Sequence, residues 1–330
     1  MTFPWPDPPE TLRFDRFMAT ALHHPEHGYY ARRIRGVGGR GDFTTTAAIS
    51  PALPRAVAAW ALDALRRSGC RDLIELGPGE GSLAAALRRR LPWHRRVRLH
   101  LVETSAPLRE RQRARLGDRV RWHPSAEAAL DACNGRACLY SNEFADAFPV
   151  RRFRLVGGEW RESHVARDGE RWEPAVDLPD SSVFERPWPD GQVVEVNESF
   201  HHWLGGALPR WRRGRMLTID YGARSGELYH RQPQGSLRAY FHHQCLTGSE
   251  ALARPGHQDL TADLNFTDLV RWSSPFAETR RLVTQREFLG PFVDASDPAD
   301  CHAIDPHGAG TAFLVHEMEP RPPDRAPRAR

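Results

Sequence analysis

Asp72-Leu73-Ile74-Glu75-Leu76-Gly77-Pro78-Gly79-Glu80-Gly81-Ser82 is the stretch that decides the fold of this chain. Its first five residues form a short apolar run, the next five a glycine-rich turn, and residues 82–91 a helix with Leu83, Ala86, Leu87 and Leu91 on one face and Ser82 as its N-cap. Working outward, a second strand at 97–102 ends at Glu103, a helix covers 107–116, and strand-like segments follow at 119–123 and 137–140. Strand and helix alternate, so the expected architecture is α/β: a doubly wound, mostly parallel sheet. Upstream, Leu12, Phe14, Phe17, Met18, Ala21 and Leu22 have helical spacing over 10–22, and a second helix is expected over 54–67.

Beyond Val150 the rhythm changes. Residues 151–175 read as antiparallel hairpins turning at Gly157-Gly158 and Asp168-Gly169. A helix at 198–211 leads to a strand at 216–220, a polar loop-rich region covers 222–260, and a helix at 263–272 and a strand at 312–316 close the chain. The expected organisation is an N-terminal helical segment (1–69), a sheet domain (70–318) with insertions at 151–195 and 222–262, and a Pro/Arg-rich disordered tail (319–330).

All 46 basic residues among the 330 are arginine, and this excludes several chemistries. Without lysine there is no side-chain Schiff base, no phosphate-loop lysine and no S-x-x-K acyl-enzyme site. The net charge is +4, and the eleven residues 320–330 hold four Arg against one Asp, so the body is close to neutral and no nucleic-acid face is demanded. Five cysteines without C-x-x-C spacing point to reduced thiols. The N-terminus shows no signal-peptide pattern and no run of apolar residues is long enough for a membrane span, so the expectation is a cytoplasmic protein with no membrane partner.

The turn Gly77-Pro78-Gly79-Glu80-Gly81 departs from the dinucleotide fingerprint, which places glycine where Ser82 stands. Glu103 has the position of an acid that accepts from both ribose hydroxyls of an adenosine cofactor, a role shared by NAD and S-adenosylmethionine. Glu75 and Glu80 separate the two. They suit a cofactor that carries an ammonium and a sulfonium, and they repel a pyrophosphate. A second candidate site follows the fourth strand, in Tyr140-Ser141-Asn142-Glu143-Phe144-Ala145-Asp146-Ala147-Phe148-Pro149. Polar groups at the carboxyl end of a parallel strand face the ligand crevice. Those here also fit a plain Asx turn.

E-L-G-P-G-E-G-S (75–82), L-V-E-T-S-A-P-L-R-E-R-Q (101–112) and S-N-E-F-A-D-A-F-P-V (141–150) resemble the MidA-type S-adenosylmethionine-dependent methyltransferases, relatives of the mitochondrial complex I assembly-factor arginine methyltransferases. So do Pro25-Glu26-His27-Gly28-Tyr29-Tyr30, Gly41-Asp42-Phe43-Thr44-Thr45, Ile219-Asp220-Tyr221-Gly222, Gly235-Ser236-Leu237-Arg238-Ala239-Tyr240 and Gly256-His257-Gln258-Asp259-Leu260-Thr261. The resemblance implies a class I methyltransferase (Rossmann-like) sheet with an N-terminal helical lid. It also implies S-adenosylmethionine as cofactor, held by Glu75, Gly77, Pro78, Gly79, Gly81, Glu103, Thr104 and Ser105, with Asp42 and Thr45 packing over it. The acceptor it implies is protein arginine. A guanidinium is a cation that needs carboxylates to hold and aim it. Glu143 and Asp146 are the candidates, with Asn142 orienting, Asp220 as a reserve acid, and Tyr221 and His243 lining the pocket.

Several positions depart from the family pattern: Thr46-Ala47-Ala48 for Ser-Pro-Glu, Leu53-Pro54-Arg55 for Phe-Gly-Glu, Ala145 for the second aromatic of N-E-F-F-D, and Asp263-Leu264-Asn265 for His-Val-Asp. If these lie around lid and pocket, a small-molecule methyltransferase or a non-catalytic assembly factor becomes the alternative. His23-His24-Pro25-Glu26-His27 has the letters of a zinc-peptidase motif, but Pro25 interrupts the helix that motif needs, and no metal is expected.

Overall fold

A computed structural model describes residues 3–7, 10–32, 50–92, 94, 96–242 and 244–322. The central sheet is built from β1 (Asp72–Leu76), β2 (Arg98–Val102), β3 (Val120–His123), β4 (Ala137–Asn142), β5 (Met216–Ala223), β6 (Ala277–Thr284) and β7 (Phe313–Pro320), in the order β3-β2-β1-β4-β5-β7-β6. The first five are mutually parallel, and β7 runs antiparallel to both β5 and β6. All five residues of β1 are buried, as expected of a strand covered on both faces. The strand order reverses beside β1, so the carboxyl ends of β1, β2, β4 and β5 open onto one crevice.

Six helices matter to the site: α1 (Phe14–His23), α2 (Ala52–Ser68), α3 (Ser82–Arg90), α4 (Ala106–Leu116), α5 (Ala126–Ala132) and α6 (Glu198–Ala207). Helix α2 buries Leu53, Val57, Trp60, Ala61 and Ala64 against one face of the sheet, with Leu73, Tyr140, Leu217 and Ile219. The other face packs Ile74, Leu76 and Leu139 against α5 and α6. Trp60 Nε1 donates to Glu317 Oε1 at 3.0 Å and ties α2 to β7. A third apolar cluster joins α1 (Phe14, Phe17, Met18, Leu22) to Leu108, Val150 and Leu260, and so brings the N-terminal helix to the crevice.

Two smaller sheets lie outside the central one. Strands Arg151–Val156, Glu159–Ala166, Gly169–Pro174 and Val193–Val196 pair antiparallel, joined by Leu12–Arg13, and they turn at the two glycine-containing positions read from the sequence. Strands Arg238–Phe241, Gln244–Leu246 and Asp259–Thr261 form the third sheet.

Some expectations need correction. Gly81, with φ 76°, is the N-cap of α3, whereas the Ser82 hydroxyl accepts from Arg115. Strand β7 extends through Pro320, and Arg321 donates through its backbone to Phe276 O and through Nε to Ser274 O, so the disordered tail does not start at Glu319. Residues 323–330 lie outside the described residues. Strand β6 and helix α5 were not anticipated. Helix α5 is short, and β6 is an exposed edge strand whose Glu278-Thr279-Arg280-Arg281 lacks apolar alternation.

Candidate active site

The glycine turn leaves β1 with Gly77, Gly79 and Gly81 at φ 62°, 53° and 76°, a region that L side chains enter only with strain. Gly77 also faces a close neighbour: a Cβ there would stand 2.6 Å from Phe144 Cδ2. The turn after β1 and the turn after β4 are therefore packed against each other.

Glu103, at the end of β2, is 8% exposed. Ser105 N–H donates to its Oε1 at 2.8 Å and Gln112 Nε2 to its Oε2 at 3.2 Å. A carboxylate has about four acceptor positions, so two remain for a diol. Gln112 is fully buried and was not singled out from the sequence. It also donates to Gly79 O at 2.6 Å and accepts from Trp122 Nε1 at 2.9 Å, which ties Glu103 to the glycine turn. Its sequence signals are that it ends the family-like motif 101–112 and is polar on the buried stripe of α4. Ser105 caps α4, and its hydroxyl donates to Tyr30 O at 2.8 Å; Thr104 is exposed.

The two acids read as cation partners behave differently. Glu80 lies on the outside of the turn, paired with Arg111 at 2.9 Å and Arg115 at 3.6 Å, so its charge is already compensated and its expected role is withdrawn. Glu75 is 3% exposed and accepts from Tyr140 Oη at 2.8 Å. Burial pushes its carboxyl up to about 8, so it is largely neutral until a cation comes near.

Strand β4 ends in a strained turn. Asn142 Nδ2 donates to Glu143 Oε1 at 2.9 Å, and Glu143 holds φ 54°, costly for a residue with a Cβ. Asp220 explains how the turn is held. It is fully buried, and its Oδ2 accepts from Phe144 N–H at 3.1 Å and Ala145 N–H at 2.8 Å, while Oδ1 accepts from Tyr221 N–H at 2.9 Å. This is a correction: Asp220 faces backbone, and it positions the turn instead of serving as a reserve acid. Burial and the charge of Asp146 push its carboxyl upward. Asp146 is 7% exposed, and burial, opposed by Arg238, pushes it up to about 6. Tyr221 packs on Phe313 with centroids 3.9 Å apart and the rings tilted by 36°, and the Arg238 guanidinium lies 4.6 Å from its ring.

Four residues outside the expected site belong to this neighbourhood. Tyr30 Oη donates to Asp259 Oδ1 at 3.0 Å, and Arg238 pairs with Asp263. Asp42, Thr45 and His243 lie outside the described residues. Of the departures from the family pattern, Arg55 is not at the pocket: it pairs with Asp300 and donates to Phe292 O at 2.9 Å, beside α2. Asn265 caps the helix Phe266–Ser273.

The residues fit S-adenosylmethionine. Glu103 keeps acceptor capacity for the ribose, and Asn142 Oδ1 is buried with no partner among the described residues. The turn is glycine on both sides of Pro78, which allows close approach. In the zinc-peptidase-like stretch, His24 Nδ1 accepts from Glu26 N–H and His27 N–H. At the opposite end of the sheet Asp72, His100 and Cys133 bring potential metal-ligand atoms together. There Asp72 is engaged by Arg98, and His100 lies 2.9 Å from His123.

Residues 56–281 match the model of a family described as "Putative S-adenosyl-L-methionine-dependent methyltransferase". The Drosophila melanogaster protein named as the mitochondrial protein arginine methyltransferase NDUFAF7 homolog is 30% identical over 307 residues, covering 80% of this chain and 66% of that protein. The mouse mitochondrial protein arginine methyltransferase NDUFAF7 is 28% identical, covering 83% and 69%. The chain thus spans about two thirds of the length of these relatives. A crystal structure from Burkholderia thailandensis bound to S-adenosyl-homocysteine superposes with a TM-score of 0.83 at 27% identity, covering 94% of this chain and 88% of that one. The expected cytoplasmic location is overturned, since these relatives are named as mitochondrial proteins. Among the described residues no helix is long and apolar enough to cross a membrane. The family match covers more than half of the chain: this chain belongs to the S-adenosyl-L-methionine-dependent methyltransferases of this family.

Proposed function

We propose that the chain methylates a guanidinium nitrogen of protein arginine, the activity for which its relatives are named. The observation that supports this reading is the set of neighbouring carboxylates at the ends of β4 and β5: Glu143 and Asp146 in the turn after β4, both close enough to act on Asp220, and Asp259 close enough to be acted on by Asp146. A guanidinium stays protonated at any working pH, so a site that binds one must offer negative charge.

When bound, S-adenosylmethionine supplies an electrophilic methyl group for in-line displacement. The chain supplies position. Glu103 accepts from the ribose hydroxyls, and the backbone of Gly77–Gly81 lies against the cofactor. Glu143, fixed by Asn142, and Asp146 accept guanidinium N–H bonds and aim one nitrogen at the methyl group. The new N–C bond forms as the S–C bond breaks, and the nitrogen then sheds a proton. Asp146, pushed up to about 6, can take that proton near neutral pH.

The test is methyl transfer to arginine-containing protein or peptide, with the modified residue located by mass spectrometry. Glu143→Gln combined with Asp146→Asn should lower kcat by at least about 100-fold while S-adenosyl-homocysteine still binds, as expected of groups that act on the acceptor. Transfer to a small neutral acceptor, with none to arginine, would replace this reading.

A further inference from the structure

We propose that Asp259 is a further acceptor-binding residue: with Asp146 it receives the cationic group to be methylated, and Tyr30 positions it. This rests on the arginine reading and specifies how the cation is held.

The placement comes first. Asp259 opens the strand Asp259–Thr261 and is 5% exposed. Its Oδ1 accepts from Tyr30 Oη at 3.0 Å. The backbone carbonyl of Tyr30 accepts from the Ser105 hydroxyl at 2.8 Å, and Ser105 N–H donates to the ribose acid Glu103. One residue thus links the cofactor side of the crevice to Asp259. The His23 ring stacks on Tyr30 with centroids 5.5 Å apart and its Nε2 lies 3.3 Å from Ala147 O. From the other side, Ala262 N–H donates to Asp146 O at 3.2 Å, so the strand bearing Asp259 is bonded to the turn bearing Asp146.

Charge makes the second argument. The groups facing Asp259 are Tyr30 from the short helix Tyr29–Arg32, His23 from α1, Asp146 from the turn after β4, and Arg238 and Tyr240 from the strand paired with it. Arg238 is the cation among them, and Asp263 already pairs with it. Asp146, Asp220 and Asp259 therefore share a buried region with one described arginine, whose Nη1 pairs with Asp263 and whose charge offsets Asp146 and Asp259 only in part. Carboxylates in that situation stay protonated or wait for a cation. Burial and Asp146 push Asp259 up to about 8, and Asp146 stands at about 6. A neutral acceptor would leave both acids with only the shared charge of Arg238. A planar guanidinium offers donors on both edges, and two carboxylates approaching from different elements can each take a pair.

The sign of the pH effect follows. Both acids bind a cation only when ionised, so acceptor binding should release protons and the acceptor KM should fall as pH rises from 6 towards 8 and beyond. A merely structural Asp259 would not produce that profile.

The experiment uses the full chain and an arginine peptide that the parent protein methylates. KM and kcat are measured from pH 6 to 9, with binding of S-adenosylmethionine and S-adenosyl-homocysteine by calorimetry. Asp259→Asn should raise the acceptor KM by about 30-fold or more and flatten its pH dependence above 7, with both cofactor affinities kept. Tyr30→Phe removes one hydrogen bond and should raise KM by about 10-fold. An unchanged KM and pH profile in Asp259→Asn overturns the assignment. So does a selective loss of S-adenosylmethionine over S-adenosyl-homocysteine, which would give Asp259 to the sulfonium. If Asp259→Asn fails to fold, an unchanged KM and pH profile in Tyr30→Phe overturns it. A parent protein that methylates only neutral acceptors sinks the arginine reading itself, whatever Asp259→Asn does.

Discussion

Gly77 shows how much one residue can carry. It joins a positive φ of 62° to a close approach, since any Cβ would meet Phe144 at 2.6 Å. Gly77→Ala should cost roughly 1–2 kcal/mol for the backbone alone. It should also displace Phe144 and with it the turn after β4. Calorimetry should show loss of S-adenosyl-homocysteine binding together with a lowered Tm. Gln112 is the opposite case, a fully buried side chain that spends its amide on Gly79 O, Glu103 and Trp122. Gln112→Leu keeps the apolar packing of α4 but leaves Glu103 short of a donor. Roughly 1–3 kcal/mol of lost hydrogen bonding corresponds to about 10- to 100-fold weaker S-adenosyl-homocysteine binding. An unchanged affinity would show that Gln112 only fills space.

At the scale of elements, the turn after β4 depends on its neighbouring strand. Glu143 N–H donates to Ile219 O at 3.0 Å, and Asp220 accepts from Phe144 and Ala145, so β5 holds a strained turn in place. Asp220→Ala removes the carboxylate that accepts from both of these backbone N–H groups. The expected outcome is a fall in kcat of about 10-fold or more, from misplacement of Glu143 and Asp146, with a smaller effect on cofactor affinity. Equal losses in both would place Asp220 at the cofactor. The N-terminal helix belongs to the same scale: α1 and Tyr30 reach both the ribose loop and Ala147, so a segment remote in sequence contributes to the wall of the crevice.

Over the whole molecule, the buried acids set a pH dependence of stability. Glu75 and Asp259 are pushed up to about 8 and Asp146 to about 6, all above their unfolded values near 4. Between those limits the folded chain binds more protons at these groups than the unfolded chain does. Their contribution is therefore complete below pH 4 and is lost as pH rises towards 8. His316, pushed down to about 4 by burial, acts in the other sense between pH 6.5 and 4. Comparison with Glu75→Gln isolates one group: the glutamine carbonyl can still accept from Tyr140 but does not titrate. That variant should gain in Tm over the parent at pH 8 and not at pH 5. An equal difference at both pH values would mean that Glu75 does not titrate in this window.

The sequence by itself determined the local unit and its ligand. A buried apolar strand, a turn that only glycines can make and a polar residue at the next strand end are all encoded within thirty or so residues, because backbone conformation and burial on both faces restrict side-chain choice at each position. From Glu75 to Glu103, nearly every element stands where it was read, and the family motifs extended that reading to the cofactor. Tertiary structure decided what depends on pairing between distant residues. Glu80 and Asp220 look like ligand acids in sequence, yet Arg111 and Arg115 neutralise one and backbone amides occupy the other. Arg55 looked like a pocket change and instead answers Asp300. Asp259 stands in a family-like motif, but the motif gave it no role; its partners are Tyr30, more than two hundred residues earlier, and Asp146 on a different element. A carboxylate's function depends on which charges and donors surround it after folding, and no local pattern records that.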